Sequence, residues 1–457
     1  MPTKTSQSRT RAEKELTSAD LAERALQRRA VEAAIWGMPI VSVDAMRRAF
    51  FNAGAKYGDV VYLSKPADWN LQLTTPNSSS LYCYLNYSLK DGPVVLDLPA
   101  AVGAGLFGSI LDAWQVPLAD VGLEGQDHGK GGKYLVLGPD FKGEPPPGYF
   151  ALRSATYSGY AALRAIPKTR SDEDILKALA LVKQVRLFPF SRSASSTATR
   201  YIDIAGKLFD GIVKMDDTFF DSLARTVIEE PVQARDLIAM AQLRSLGIEK
   251  DRDFNPDGPT RAVLKKAAAE AHKTFVNATA SVVPYWPDSN WGLPGYAITG
   301  AQTAFTYQSA GLLNVDDRGA MFFFACAAPG KLGAATLYLT SPKERDGAQL
   351  DGSKSYHLRV PPDVPASQFW AVTIYDLETA AFFRESTNTE INSYQDLQKN
   401  DDGSVDVFFA PKPPDGKQSN WIYTAPSRPW FACFRFYGPE EAIHNKSWVL
   451  PDIEKMN

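Results

Sequence analysis

Apolar positions recur at helical spacing from Leu21 through Ala25, Leu26, Ala33 and Ala34, while Arg24, Arg28 and Arg29 take the opposite side. This is the period of an amphipathic helix. Thr17-x-x-Asp20 has the spacing of a capping box at its start. Gly37 and Pro39 are the expected stop signals, and a second amphipathic helix is predicted over 42–53, ended by Gly54. Residues 1–16 are polar and predict a disordered tail.

From about 60 to 165 the period shortens to two. In LYCYLNY (81–87), Leu81, Cys83 and Leu85 share one face and Tyr82, Tyr84 and Asn86 the other. Further β-rich runs follow at 94–98, 107–116, 133–138 and 148–154, separated by turn residues. This spacing predicts an antiparallel sandwich or jelly roll rather than βαβ units. Helical period returns from about 171 to 283. Ser171-x-x-Asp174 opens one helix, and others are predicted at 217–229, 232–246 and 259–281. From about 290 onward β texture resumes, with strands expected at 356–360, 369–376 and 430–438, the last two apolar on both faces like central strands. The expected fold is α+β. N-terminal helices occupy 1–59, a first jelly-roll-like sandwich 60–170, a helical block 171–289 and a second sandwich 290–457.

Composition narrows the classes of function. In 457 residues, 49 Lys and Arg against 52 Asp and Glu give a net charge of −3, which argues against a polybasic nucleic-acid binder. No apolar run is long enough for a spanning helix, and the basic N-terminus lacks the apolar core of a signal peptide. The chain as written therefore reads as cytoplasmic, or periplasmic if a leader has been removed, with no membrane partner and with a homo-oligomer left open. Cys83, Cys326 and Cys433 are scattered in apolar runs and form no CxxC, so no disulfide framework, zinc site or other cofactor is expected. A weak oxygen-ligated ion such as magnesium or calcium stays open.

Candidate chemistry comes from isolated groups. GQDHGKGGKYLVLG (125–138) is glycine-rich but leads into a strand, so it lacks the helix N-terminus of a phosphate cradle. Within it His128 stands beside Asp127 and could serve as acid or base. Asp112 and Asp120 flank AWQVPLA. If extended they lie ~26 Å apart, too far for a paired-carboxylate site, so Asp112 would need a partner such as Asp376 at the end of a central strand. Thr75, Asn77 and Ser79 stand at a strand entrance, and Tyr82 and Tyr84 continue along one strand face. Phenols that stack and an amide that hydrogen-bonds suit a polar ligand with flat apolar patches. The structural alternative is a turn that caps the strand. Trp114 adds a second aromatic beside Asp112.

Two blocks taken together resemble a known family. The first is TTPNSSSLY (74–82) with GPVVLDLP (92–99) and FGSILDAWQVPLADVG (107–122). The second is RDGAQLDGSKSYHLRVPPDVPASQFWAVTIYD (345–376) with SNWIYTAP (419–426). The chain resembles bacterial proteins that pair the domains of unknown function numbered twelve-fifty-four and twelve-fourteen, in that order. Thr75, Pro76, Asn77 and Tyr82 match the family pattern of the first block, but Ser79 and Ser80 replace its Asp-Thr pair. Asp346, Gly347, Leu350, Gly352, Tyr356, Phe369, Trp370, Thr373, Tyr375 and Asp376 match in the second, and Asn420 and Trp421 follow. The resemblance implies two jelly-roll-like sandwiches joined by a helical segment, and names no reaction.

The expected function is an enzyme acting on a small polar or sugar-like molecule by hydrolase or lyase chemistry. Asp112, Asp376 or His128 would act as acid or base, and Thr75, Asn77, Ser79, Tyr82, Tyr84 and Trp114 would bind. The alternative is a non-catalytic small-molecule-binding or structural protein. An Asn77 that faces ligand predicts loss of binding in Asn77→Ala with stability kept within about 1 kcal/mol. An Asn77 that only shapes its turn predicts lost stability instead.

Overall fold

The computed structural model describes residues 16–169, 171–192, 198–331 and 336–456. The polar tail read at 1–16 lies outside these residues except for Leu16, as does most of the polar stretch at 191–197. One helix, Ser18–Asn52, opens the fold with the expected capping box: Asp20 N–H donates to Thr17 Oγ1 at 3.2 Å and Thr17 N–H to Asp20 Oδ2 at 2.9 Å. Gly37 and Pro39 do not stop it, contrary to the two helices expected. Every residue from Ala33 to Arg47 is buried, so packing overrides local propensity. Carbonyls around the proline find other donors. Arg318 Nη2 donates to Trp36 O at 3.3 Å and Gln115 Nε2 to Pro39 O at 3.1 Å. A Cβ at Gly37 would lie 2.7 Å from Leu223 Cδ1, so the missing side chain lets the helix Thr218–Glu229 approach.

Strands gather into two pairs of sheets. In the first pair, a six-stranded sheet has the spatial order Tyr201–Asp203, Val60–Tyr62, Leu81–Ser88, Ser158–Ile166, Gly105–Asp112, Pro117–Val121. It shares a core with a four-stranded sheet that contains Val94–Leu98 and Gly132–Leu137. Leu81, Cys83 and Leu85 enter that core beside Leu96, Tyr134 and Val136. In the second pair, Thr336–Ser341, Trp430–Pro439, Ala366–Asp376 and Glu390–Asn392 are consecutive strands of a six-stranded sheet. Its Val372, Ile374, Phe434 and Phe436 pack on Tyr356, Leu358, Val407 and Phe409 of a four-stranded sheet. Most pairings are antiparallel. Val60–Tyr62 with Tyr201–Asp203, Gly132–Leu137 with Phe150–Arg153, and Val405–Ala410 with Trp421–Tyr423 run parallel, as do Leu71–Gln72 and Phe209–Asp210, which form a separate two-stranded sheet.

Helices Asp172–Val182, Thr218–Glu229 and Gly258–Thr279 stand where their period places them, while 232–246 shortens to Leu237–Ser245 after a 3₁₀ turn. Strands Arg186–Pro189 and Tyr201–Asp203 within the helical stretch return to the first pair of sheets. Helices Gly295–Gln302 and Val315–Phe324 form where β texture was read. Arg318 through Phe323 are all buried, and a helix buried on all sides carries no polar face to betray its period.

The two six-stranded sheets turn their outer faces toward each other. Tyr84, Leu111 and Tyr160 of the first meet Tyr375, Phe431 and Cys433 of the second, with Phe50 of the N-terminal helix closing one end. The strand register depends on close backbone approach. A Cβ at Gly159 would stand 2.4 Å from Leu111 O and 2.2 Å from the Tyr87 hydroxyl. Gly159→Ala is expected to lower stability by about 3 kcal/mol, read from the urea midpoint; a loss under about 1 kcal/mol would contradict this packing.

Candidate functional site

Alternation along the strands that face this seam makes one part of it aromatic and another polar. On Trp430–Pro439, Phe431, Cys433, Arg435 and Tyr437 share the seam face, while Ala432, Phe434 and Phe436 fill the core behind. Ser158–Ile166 sets Tyr160, Ala162 and Arg164 on its seam face by the same rule. Tyr84 lies in the aromatic part, 5.7 Å from the Tyr160 ring and 5.8 Å from Phe50.

In the polar part, Glu390 is buried and engaged by four donors. They are Ser79 Oγ at 2.6 Å, Thr373 Oγ1 at 3.0 Å, and Ser78 N–H and Asn392 Nδ2 at 3.1 Å each. Arg435, 2% exposed, donates from Nη1 to Thr373 Oγ1 and from Nη2 to the Tyr375 hydroxyl, both at 2.6 Å. Its Nη2 also reaches Thr75 O at 3.4 Å. The Tyr375 hydroxyl donates to Pro76 O. The TTPN loop of one half is thereby fastened to the sheet of the other.

Three further groups in this part lack hydrogen-bond partners. Arg435 Nε and the Tyr437 hydroxyl are buried with none. The Arg164 guanidinium makes no hydrogen bond or ion pair among the described residues and lies 5.5 Å from the Tyr82 ring centre and 5.8 Å from that of Phe107. Burial pushes the Tyr82 and Tyr437 phenols up, against the pull of Arg164 and Arg435, so both stay protonated near neutral pH. The guanidiniums remain charged. Arg164, Tyr82, Phe107 and Tyr338 are half-buried, so the cluster reaches the surface. Two cations and protonated phenols set around an edge with aromatic walls can receive an acceptor-rich, negatively charged group.

Residues 59–189 match a family model described as "Protein of unknown function (DUF1254)", and residues 335–441 match "Protein of unknown function (DUF1214)". The chain pairs DUF1254 with DUF1214. The DUF1254 stretch supplies Tyr82, Phe107 and Arg164, and the DUF1214 stretch supplies Tyr338, Glu390, Arg435 and Tyr437. Among solved structures, the VPA0106 protein from Vibrio parahaemolyticus is similar over 94% of this chain and 100% of its own, with a TM-score of 0.54 at 18% identity. The DUF1254–DUF1214 chain shares its fold. An uncharacterized protein from Burkholderia cenocepacia is similar over 96% of both chains, with a TM-score of 0.42 and 13% identity. None of the curated proteins matches.

Residues singled out from the DUF1254–DUF1214 sequence fall in four places. Thr75, Asn77, Ser79 and Tyr82 come together at the seam. Asn77 Oδ1 accepts from Ser79 N–H at 3.0 Å, Ser80 N–H at 3.1 Å and Ser80 Oγ at 2.9 Å, so it shapes its own loop. Asp112 and Trp114 lie together elsewhere. Asp112 Oδ1 accepts from Trp114 N–H at 2.8 Å and Val116 N–H at 2.9 Å, and burial pushes its carboxyl up to about 6. Asp376 pairs with Arg428 and accepts the Glu378 N–H at 2.9 Å. Burial raises its carboxyl, with Arg428 opposing. His128 is exposed on its loop at φ 49°, while Asp127 accepts the N–H groups of Gly122 and Gly131. Among the described residues no hydrogen bond or ion pair joins Asp112, Asp376 and His128 to one another. Among the described residues no group of three His, Cys, Asp or Glu side chains could hold a metal ion, and no helix is long and apolar enough to cross a membrane.

Sequence reasoning passed over Arg164, Glu390, Arg435 and Tyr437. The signal for Arg435 was a single charge inside the apolar run WFACFRFYG, and that for Arg164 a single charge in SGYAALRAI. Glu390 in TNTEINS carries no comparable mark.

Two substitutions test the loop. Asn77→Ala leaves buried donors unmet and is expected to cost about 2 kcal/mol in urea unfolding; an unchanged midpoint would contradict the turn role. Ser79→Asp sets a second carboxylate where a hydroxyl now donates to Glu390 at 2.6 Å. Like charges raise the folded-state pKa of one carboxyl above its unfolded value. The penalty is therefore full above that raised pKa and fades as pH falls toward the unfolded value of about 4. The gap in Tm between variant and parent should be wide at neutral pH and shrink in acid. A gap that is constant with pH would contradict the geometry.

Proposed function

We propose that this protein binds a small organic anion in the seam, a carboxylate on a flat apolar body. The observation that carries the reading is the Arg164 guanidinium, set between two ring faces without hydrogen bond or ion pair and close to the unpartnered Tyr437 hydroxyl and Arg435 Nε. Buried donors left unmet are costly, and an arriving carboxylate supplies both acceptors and the opposite charge. Tyr82, Phe107 and Tyr338 offer flat faces for its body. Thr75, Asn77 and Ser79 act through the loop they build, and Tyr82 through its ring. We read each pair of sheets as a jelly-roll-like sandwich that serves as a rigid wall, so the site needs both halves.

Binding without chemistry is the better reading because Glu390, the carboxylate of the polar cluster, has four hydrogen bonds in the lone-pair positions that a proton acceptor would need. A second reading, an enzyme of hydrolase or lyase type, is favoured by Asp112. Its carboxyl at about 6 suits acid–base work near neutrality, and its Oδ2 takes no hydrogen bond among the described residues. Isothermal titration with sodium benzoate at fixed ionic strength tests the first reading. Saturable binding is expected, at least tenfold weaker in Arg164→Met, which corresponds to about 1.4 kcal/mol. Equal affinity in the variant, or no binding by the parent protein, would overturn it.

A further inference from the structure

A second set of unmet donors lies away from the seam, where the N-terminal helix, the loop after Asp112, the 3₁₀ turn Ala234–Asp236 and the helix Val315–Phe324 meet. Arg318 is 2% exposed. Only its Nη2 is bonded, to Trp36 O at 3.3 Å, while Nε and Nη1 are buried with no partner. Its guanidinium lies 5.1 Å from the Trp114 ring centre, and Trp114 packs on Trp36 at 4.7 Å. Arg235, 16% exposed along its side chain, gives Nη1 to Gln308 Oε1 at 2.9 Å and keeps Nε and Nη2 buried without a hydrogen bond. The Gln233 amide nitrogen, two residues away, is buried and unpartnered as well.

These five nitrogens are all donors. The nearby carboxylates do not satisfy them. Asp236 accepts from Trp36 Nε1 at 3.1 Å and stands 3.7 Å from Arg235 Nε, too long for a hydrogen bond. Asp112 spends Oδ1 on backbone amides. Burial, and after it repulsion from Arg235, holds Arg318 below the usual arginine range against the opposing pull of Asp236 and Asp112. Asp236 and Asp112 answer part of the charge but leave the five donors without acceptors, and an acceptor-rich oxyanion would supply them.

We propose that Arg235 and Arg318 form a second ligand site, which holds a compact oxyanion of phosphate or carboxylate type beside Trp114. It is separate from the seam and does not rest on the reading given there. Arg235, at the outer edge, is the entry group, and Arg318 is the inner one. This assigns Trp114 a place in a binding site as the aromatic wall against which the inner guanidinium is held.

Isothermal titration at fixed ionic strength with sodium phosphate, and separately with sodium acetate, tests the site and distinguishes the two oxyanion types. With the seam disabled by Arg164→Met, at least one probe should still bind with one-to-one stoichiometry, and at least tenfold more weakly when Arg235→Gln is added. Arg318→Met should abolish binding; where that variant does not fold, Arg235→Gln decides. The proposal is overturned if neither probe binds, if Arg235→Gln binds like the parent protein, or if Arg164→Met removes the signal and so assigns it to the seam.

Discussion

Each six-stranded sheet has a face turned away from its own core, rich in aromatic side chains, that cannot be left in water. The two faces cover each other. Tyr84, Leu111 and Tyr160 on one side and Tyr375, Phe431 and Cys433 on the other bury the apolar part of both at once. Burial of an aromatic side chain contributes roughly 2 to 3 kcal/mol, so this contact resembles a domain core more than a hinge. Phe50 from the N-terminal helix and the loop through Thr75 and Pro76 complete it. The helix can run unbroken through Gly37 and Pro39 because it is held in a core on all sides.

The polar part of the same seam obeys a different constraint. Arg435 is buried, and although its Nε is left without a partner, its other donors and its charge are answered within the seam. Thr373 links it to Glu390, since its hydroxyl accepts from Arg435 and donates to the carboxylate. Glu390 is in turn held by Ser78 and Ser79 from the opposite half. This hydrogen-bond chain explains the TTPN segment physically: Asn77 folds the loop so that its serines meet a carboxylate from the other sheet. Arg164 remains beyond the chain, facing aromatic rings and not a counter-charge, and that imbalance marks the seam as a place for an anion.

Much of the local structure was legible in the sequence, and long-range placement was not. The alternation in LYCYLNY put Leu81, Cys83 and Leu85 into the core and Tyr82 and Tyr84 on the seam face, because period two is a local property. The capping signals at Thr17 and Ser171 were equally local. Val315–Phe324 was hidden because its buried run Arg318–Phe323 covers every side of the helix and reads like a buried strand. Of the polar cluster, the loop residues stood out by composition. Their partners Glu390 and Arg435 lie more than 300 residues away from the loop, and no pattern within either segment names the other. The pairing of Asp112 with Asp376 that the sequence invited fails to form because each carboxylate already serves its own loop, one through backbone amides and the other through Arg428.

The central claim is that an anion bridges the two halves at Arg164. The most direct measurement is a crystal structure of the full chain grown with sodium 4-bromobenzoate, with the bromine located by its anomalous scattering. The account predicts the carboxylate on the Arg164 guanidinium and the bromine between the Tyr82 and Tyr338 rings. A bromine found only elsewhere, with water alone on Arg164, would contradict it.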